Sequence, residues 1–210
     1  SSIMLFVGTQ TGVFRIPENP FEKAERVLEG VRVRQLDTGE GCIYAATDSG
    51  VLRTTDGGES WTNLDTPLLD AHSVYCHNNR VYVGFQPARI YYADESQQSW
   101  KTMTGFESVA EESSWPTSPE HADASVRDIV VTGEVVLVGV EVGGLIVSTD
   151  AGSSFKKIED VPDDVHSVLV NTEDHWTISC GVGGPDRRGG LFETTTAGKD
   201  WVKRDLGPYN

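Results

Sequence analysis

The chain has 210 residues, with 32 acidic and 17 basic side chains and a formal net charge of −15 at neutral pH. That length suits a single domain with a sizeable core. A field of that sign repels phosphate backbones and anionic lipid head groups, so neither nucleic acid nor a membrane surface is an expected partner.

Ser1-Ser2-Ile3-Met4-Leu5-Phe6-Val7 opens the chain with an apolar run too short for a secretory leader and without a basic residue before it, and it reads as a first strand. Gly12-Val13-Phe14-Arg15 follows, a glycine leading apolar strand residues. The same pattern returns at Gly50-Val51-Leu52-Arg53, Gly144-Leu145-Ile146-Val147 and Gly190-Leu191-Phe192-Glu193, with a degenerate copy at Ala88-Arg89-Ile90-Tyr91. Two of these strands run into a shared turn. Thr54-Thr55-Asp56-Gly57-Gly58-Glu59-Ser60-Trp61 recurs as Ser148-Thr149-Asp150-Ala151-Gly152-Ser153-Ser154-Phe155, which is Ser/Thr-x-Asp-x-Gly-x-x-aromatic. The hydroxyl and carboxylate can bond turn amides, glycine supplies unusual backbone angles, and the aromatic anchors the next strand. Elsewhere the turn decays: Tyr92-Ala93-Asp94 reaches Trp100 with one extra residue, and Thr194 to Trp201 keeps everything except the aspartate.

A second register runs beside the first. Arg34, His72 and Arg127 each stand ten residues before Tyr44, Tyr82 and Leu137, and His166 stands ten before Trp176. Asp70-Ala71-His72-Ser73-Val74 echoes Asp164-Val165-His166-Ser167-Val168. Each unit therefore reads as four antiparallel strands a–b–c–d, with Arg or His near the start of strand a and the Asp-containing turn joining c to d. The units fall roughly at 1–30, 31–68, 69–104, 124–161 and 162–207, with a loop inserted at 104–124, all in one domain over residues 1–210.

The turn pattern resembles the Asp-box of bacterial neuraminidase-type repeats. That resemblance implies an all-β chain, a β-propeller of four-stranded antiparallel blades with about five blades visible, similar in fold to sialidases, sortilin-type receptor domains and photosystem II assembly factors. In those families the Asp-box is structural, which assigns that role here to Thr54, Asp56, Gly58, Trp61, Ser148, Asp150, Gly152 and Phe155. Sparse lysine beside abundant Asp and Glu resembles the surface of a halophile protein, an ordinary acidic protein being the alternative. The first unit lacks a strand a, and the chain stops at Asn210 just short of where another would reach its Arg/His position. The ring is thus expected to be incomplete: either the chain is part of a longer protein, or a second chain or missing segment completes it, or the last residues close it in abbreviated form.

In a propeller blade, strand a is innermost, so Arg34, His72, Arg127 and His166 are expected near the channel mouth on the face formed by d–a and b–c connections. Glu141 joins them from a b–c turn and His121 from the inserted loop. These six are the candidate ligand-binding residues, a cationic pocket for a small anion or an acidic peptide. The opposing reading is that they bond loop carbonyls and neighbouring carboxylates. Trp115 is either a partner-binding lip or a plug. His72, His121 and His166 lack tight ligand spacing, so neither a metal nor another cofactor is expected. Cys42, Cys76 and Cys180 are odd in number and far apart, and read as small buried hydrophobes. A cytoplasmic location is expected.

Phe14-Arg15-Ile16-Pro17 matches the Phe-Arg-Ile-Pro motif of sialidases, whose arginine helps clamp a carboxylate. The repeat places Arg15 in the slot of Arg53, Val147 and Glu193 on strand c, away from the channel. A glycoside hydrolase needs two converging carboxylates, for which Glu141 with Asp48 or Asp128 are candidates. No residue set is assigned a catalytic role. The expected function is a non-enzymatic binding or scaffold propeller engaging a partner or small anionic ligand on the loop-rich face, with a sialidase-like glycoside hydrolase on the same face as the alternative.

Overall fold

Every glycine-led strand of the repeat lies in the interior of an antiparallel sheet, where it pairs with the strand before it and the strand after it. A computed structural model of the chain describes residues 4–19, 21–96, 99–115, 124–182 and 188–204. The first sheet holds β1 (Met4–Thr9), β2 (Gly12–Pro17) and β3 (Glu25–Glu29). The second holds β4 (Val33–Gly39), β5 (Cys42–Thr47), β6 (Gly50–Thr54) and β7 (Thr62–Asn63). The third holds β8 (Ala71–His77), β9 (Arg80–Phe85), β10 (Ile90–Asp94) and β11 (Lys101–Thr102). After helix α1 (Thr104–Glu112) come a fourth sheet, β12 (Ser125–Thr132), β13 (Val135–Glu141), β14 (Gly144–Ser148) and β15 (Lys156–Ile158), and a fifth, β16 (Val165–Val170), β17 (Trp176–Cys180), β18 (Gly190–Thr194) and β19 (Val202–Arg204). In each sheet the strands lie side by side in chain order. This is an all-β propeller fold of about five blades. Among the described residues no helix is long and apolar enough to cross a membrane.

The chain divides into two compact units, Ser1–Val83 with Tyr91–Lys101, and Gly84–Ile90 with Thr102–Asn210. In the first, Val13, Val33 and Ala45 form a buried cluster against which Phe6, Leu36 and Trp61 pack. In the second, Leu137, Leu145, Val165, Trp176, Ile178 and Phe192 form a larger one. The middle strands are buried on both faces, as β13 shows with Val136, Leu137, Val138 and Val140 all at 2 % exposure or less. That is why their sequences run apolar without alternation.

The repeated turn has a closed hydrogen-bond circuit. Thr54 Oγ1 donates to Asp56 Oδ1 at 2.9 Å and accepts from the Gly58 amide at 2.9 Å. Asp56 in turn accepts from the Ser60 amide at 2.9 Å and the Ser60 hydroxyl at 2.5 Å. Ser148, Asp150, Gly152 and Ser154 repeat all four bonds at 2.6–2.9 Å. Gly58 and Gly152 sit at φ +96° and +89°, which a side chain resists. In the fifth sheet Thr196 stands in the aspartate's place, and its hydroxyl accepts from the Asp200 amide at 2.9 Å while Thr194 accepts from Gly198 at 3.0 Å. A hydroxyl does the carboxylate's work there.

The segment 104–124, read from sequence as a loop, opens with a helix. Phe106, Val109 and Ala110 share one buried side of α1. The Phe106 ring meets Phe155, the aromatic of the second turn, edge-on at 5.7 Å, and lies 5.8 Å from Trp115. Trp115 lies in turn against Gly143 in the β13–β14 turn. Helix α1 therefore runs along the fourth sheet from its c–d turn towards its b–c turn. Half-buried Trp115 is packed within the second unit and forms no open lip. His121, placed by sequence on the loop-rich face, lies outside the described residues.

The bonds from the Ser60 hydroxyl and amide and from Thr54 hold the Asp56 carboxyl at about 2, and those from Ser154 and Ser148 do the same for Asp150. Because the folded value is depressed, the stabilisation is complete above the unfolded value of 3.8 and is lost as pH falls from about 4 towards 2. Urea midpoints measured between pH 5 and pH 2 should fall more steeply for the native chain than for the Asp56→Asn/Asp150→Asn double variant.

Candidate functional site

Arg34, Arg127 and His166, among the predicted strand-a residues, each occupy a β-bulge. The β4–β5 register shifts between Val33 and Gln35, the β12–β13 register between Val126 and Asp128, and the β16–β17 register between Val165 and Ser167. Arg34, Arg127 and His166 are the extra residues at these shifts. Each follows a buried valine (Val33, Val126 and Val165) that anchors the strand. A bulge leaves one residue outside the ladder and re-aims its side chain, so the strand start presents a polar group without disturbing the apolar pairs behind it.

In the first unit, Arg34 Nη1 lies 2.6 Å from Asp70 Oδ1, and His72 Nε2 lies 3.3 Å from Asp70 Oδ2. His72 is only 10 % exposed at its side chain, and its Nδ1 finds no partner among the described residues. Burial pushes the Asp70 carboxyl up, but the bond from His72 and the charge of Arg34 outweigh it and the net displacement is downward. In the second unit, Arg127 Nη1 lies 2.6 Å from Glu141 Oε2, and His166 Nε2 lies 3.0 Å from Asp164 Oδ1 and 4.0 Å from Glu141 Oε1. The four described Arg and His residues of the set, Arg34, His72, Arg127 and His166, each face a carboxylate, so the small-anion reading finds no support in this geometry.

Asp70 and Asp164 are the site residues that the sequence reading missed. Both belong to the repeated Asp-x-His motif, and both stand two residues before the histidine they contact. Residues two apart in an extended chain face the same side, so the motif itself carried the signal.

The glycosidase candidates are also occupied. Asp128 Oδ2 accepts from the Val168 amide at 2.9 Å and its Oδ1 from the Ile129 amide at 3.0 Å. Asp48 accepts from the Arg32 amide at 3.1 Å. Arg15 is paired with Glu25 at 2.6 Å and Glu59 at 2.8 Å, and donates to the Gly57 carbonyl at 2.9 Å. It braces the first Asp turn. A separate shallow cleft in the first unit, about 380 Å³, is lined by Glu40, Cys76, His77, Asn78, Asn79 and Glu95. It lies at the a–b turns, on the side opposite the b–c turns. Burial pushes its Cys76 thiol up, assisted by the charges of Asp37 and Glu95, which suits a packed cysteine and not a nucleophile.

No protein-family model matches the sequence, and no curated protein matches it. Solved structures do. A GH74 xyloglucanase from Xanthomonas campestris superposes with a TM-score of 0.73 at 17% identity, over 99% of this chain and 36% of that one. The extracellular domain of BT4673 from B. thetaiotaomicron superposes with a TM-score of 0.67 at 14% identity, over 97% and 27%. A GH74 enzyme from Niastella koreensis gives 0.58 at 15% identity, over 95% and 29%. The chain thus spans about a third or less of the length of these structures, and the likeness is one of propeller fold.

Replacing Arg34 by alanine removes the ion pair to Asp70 and should cost about 1–2 kcal/mol near neutral pH, read from urea unfolding. Asp70's folded value is depressed, so its contribution is present above the unfolded value of 3.8 and fades below it. The gap between native and variant midpoints should therefore close as the pH drops below about 4.

Proposed function

We propose that this chain is a non-catalytic binding propeller that engages a protein partner through its b–c and d–a connections. The observation that carries this reading is the pattern beside the charged residues. In the second unit Val142, next to Glu141, is 40% exposed, and Val182, which follows the Gly181 that faces Asp164 and His166, is 66% exposed. Apolar side chains alternating with internally compensated charges suit a polypeptide surface, which offers both apolar and hydrogen-bonding groups, better than a small anion. The net charge of −15 favours a partner of basic or neutral character.

Val142 adds a second support. It is a β-branched residue held at φ +60°, a conformation such residues resist. The turn is kept there by the amides of Gly143 and Gly144, which both donate to the Asp163 carbonyl, at 3.0 and 2.8 Å. Strain held in place by neighbouring bonds, with the strained side chain turned out to solvent, fits a recognition role. The glycoside-hydrolase reading has no comparable support. Hydrolysis requires a carboxyl free to give a proton, whereas Glu141 is engaged by Arg127 and Asp164 by His166. Membership of the two repeated turns in the Asp-box class, a halophilic character and a cytoplasmic location belong to the same proposal and rest on sequence pattern and composition.

Photo-crosslinkers placed at positions 142 and 182 should trap the same partner from a lysate of the source cell, and a crosslinker at Ser153 in the c–d turn of the same unit should not. Val142→Gly should raise stability by about 1 kcal/mol by relieving the left-handed strain, and weaken partner capture at position 182. Crosslinking confined to the c–d turns, or glycan hydrolysis that disappears in Glu141→Gln, would overturn the reading.

A further inference from the structure

The two Arg–Asp–His sets are built on the same repeat, yet they are not chemically equivalent. In the first unit a single carboxylate, Asp70, receives both Arg34 and His72. The b–c carboxylate of that sheet, Asp48, is committed to the Arg32 amide. In the second unit Arg127 goes instead to Glu141 Oε2, and Glu141 Oε1 is left 4.0 Å from His166 Nε2. The ligand atoms of Glu141, Asp164 and His166 all lie within 4.8 Å of one another. Two carboxylates and an imidazole converge where the other unit offers one carboxylate.

Three further features make this a prepared site. Its backbone is clamped from both flanks: the amides of Gly143 and Gly144 donate to the Asp163 carbonyl, and the Gly181 amide donates to the Asp164 carbonyl at 2.8 Å. The Asp164 side chain is 5% exposed, so its charge sits out of water. Gly181 faces the cluster directly, and a Cβ there would come within 2.6 Å of both Asp164 Oδ2 and His166 Cε1. Only glycine leaves that space open beside the two side chains.

We propose that Glu141, Asp164 and His166 bind a divalent transition-metal ion of the zinc class, with Arg127 as the outer support that orients Glu141. Bond lengths of about 2.0–2.2 Å to nitrogen and oxygen set ligand–ligand separations of about 3.3–3.5 Å in a tetrahedron. The observed separations of 3.0 and 4.0 Å bracket that span. An imidazole with two carboxylates suits zinc and its neighbours, whereas calcium and magnesium sites draw on oxygen ligands alone. Ligating carboxylates are commonly held by an outer hydrogen bond, which is the place Arg127 takes at 2.6 Å. This inference goes beyond the binding-propeller reading and does not depend on it.

The test is titration of the full chain with Zn²⁺ by calorimetry, and with Co²⁺ by visible absorption. One equivalent should bind, with cobalt bands of a four-coordinate nitrogen–oxygen site and no thiolate charge-transfer band from Cys42, Cys76 or Cys180. His166→Gln and Glu141→Gln, both at part-exposed positions, should weaken binding about 100-fold, and Arg127→Met about 10-fold. His72→Gln, in the other unit, should leave binding unchanged and serves as the internal control. Thermal midpoints in chelator would establish that each variant is folded. Failure to bind Zn²⁺ at millimolar concentration, or binding that survives His166→Gln and Glu141→Gln, would overturn the proposal. Either result leaves the crosslinking test of the partner surface standing on its own.

Discussion

A strand at the edge of a sheet carries a row of amides with no ladder partner, and each must find an acceptor or water. In this chain the edge amides of one sheet are taken by side chains of the sheet before it. The Val74 amide of β8 donates to Gln35 Oε1 at 2.8 Å and the Cys76 amide to Asp37 Oδ2 at 2.7 Å, both acceptors lying on β4. In the second unit the Val168 amide of β16 donates to Asp128 Oδ2 on β12 at 2.9 Å. These bonds fasten strand a of one sheet to strand a of the next. The bulge residues lie one position before Gln35 and Asp128 and one before Ser167, so the same fastening fixes where their side chains emerge. The polar site is a consequence of how the edges are satisfied.

The far ends of the sheets are tied by aromatics. Trp61, which closes the first Asp turn, donates its indole N–H to the Val27 carbonyl at 3.0 Å, and Trp100 donates to the Leu64 carbonyl at 3.2 Å. Each indole thereby reaches back to the end of the preceding sheet. Phe155 cannot donate, and in its place the Phe106 ring of α1 packs edge-on against it. Where the sequence substitutes phenylalanine for tryptophan, a helix supplies by burial what the second and third sheets obtain from a hydrogen bond. The insertion is thus part of the packing of the second unit.

Much of this was readable from residue order alone. Glycine before an apolar run marks the interior strands, and the Asp turn carries its own hydrogen-bond logic in four side chains. The spacing of ten between Arg34 and Tyr44 or His72 and Tyr82 reflects strands a and b folding back on each other. Helix α1 was not readable, because its N-cap, Met103, makes no side-chain bond and its apolar positions span barely two turns. The pairing of the polar residues was not readable either. Arg34 and Asp70 lie 36 positions apart, and only the packing of one sheet on the next brings them within 2.6 Å. A list of basic residues at strand starts suggests a cationic pocket until the carboxylates arriving from neighbouring turns are added.

The difference between the two Arg–Asp–His sets traces to the b–c turn. Asp48 is short, and its carboxylate turns back to cap the Arg32 amide in its own sheet. Glu141 has one methylene more and stands at the end of β13, where the chain turns through Val142 at φ +60°. The extra reach lets its two oxygens face different ways, Oε2 to Arg127 and Oε1 towards His166. With Arg127 drawn to Glu141, Asp164 meets His166 at 3.0 Å. One methylene and one strained turn therefore convert a closed ion pair into a convergence of two carboxylates and an imidazole, on a backbone that is otherwise the same repeat.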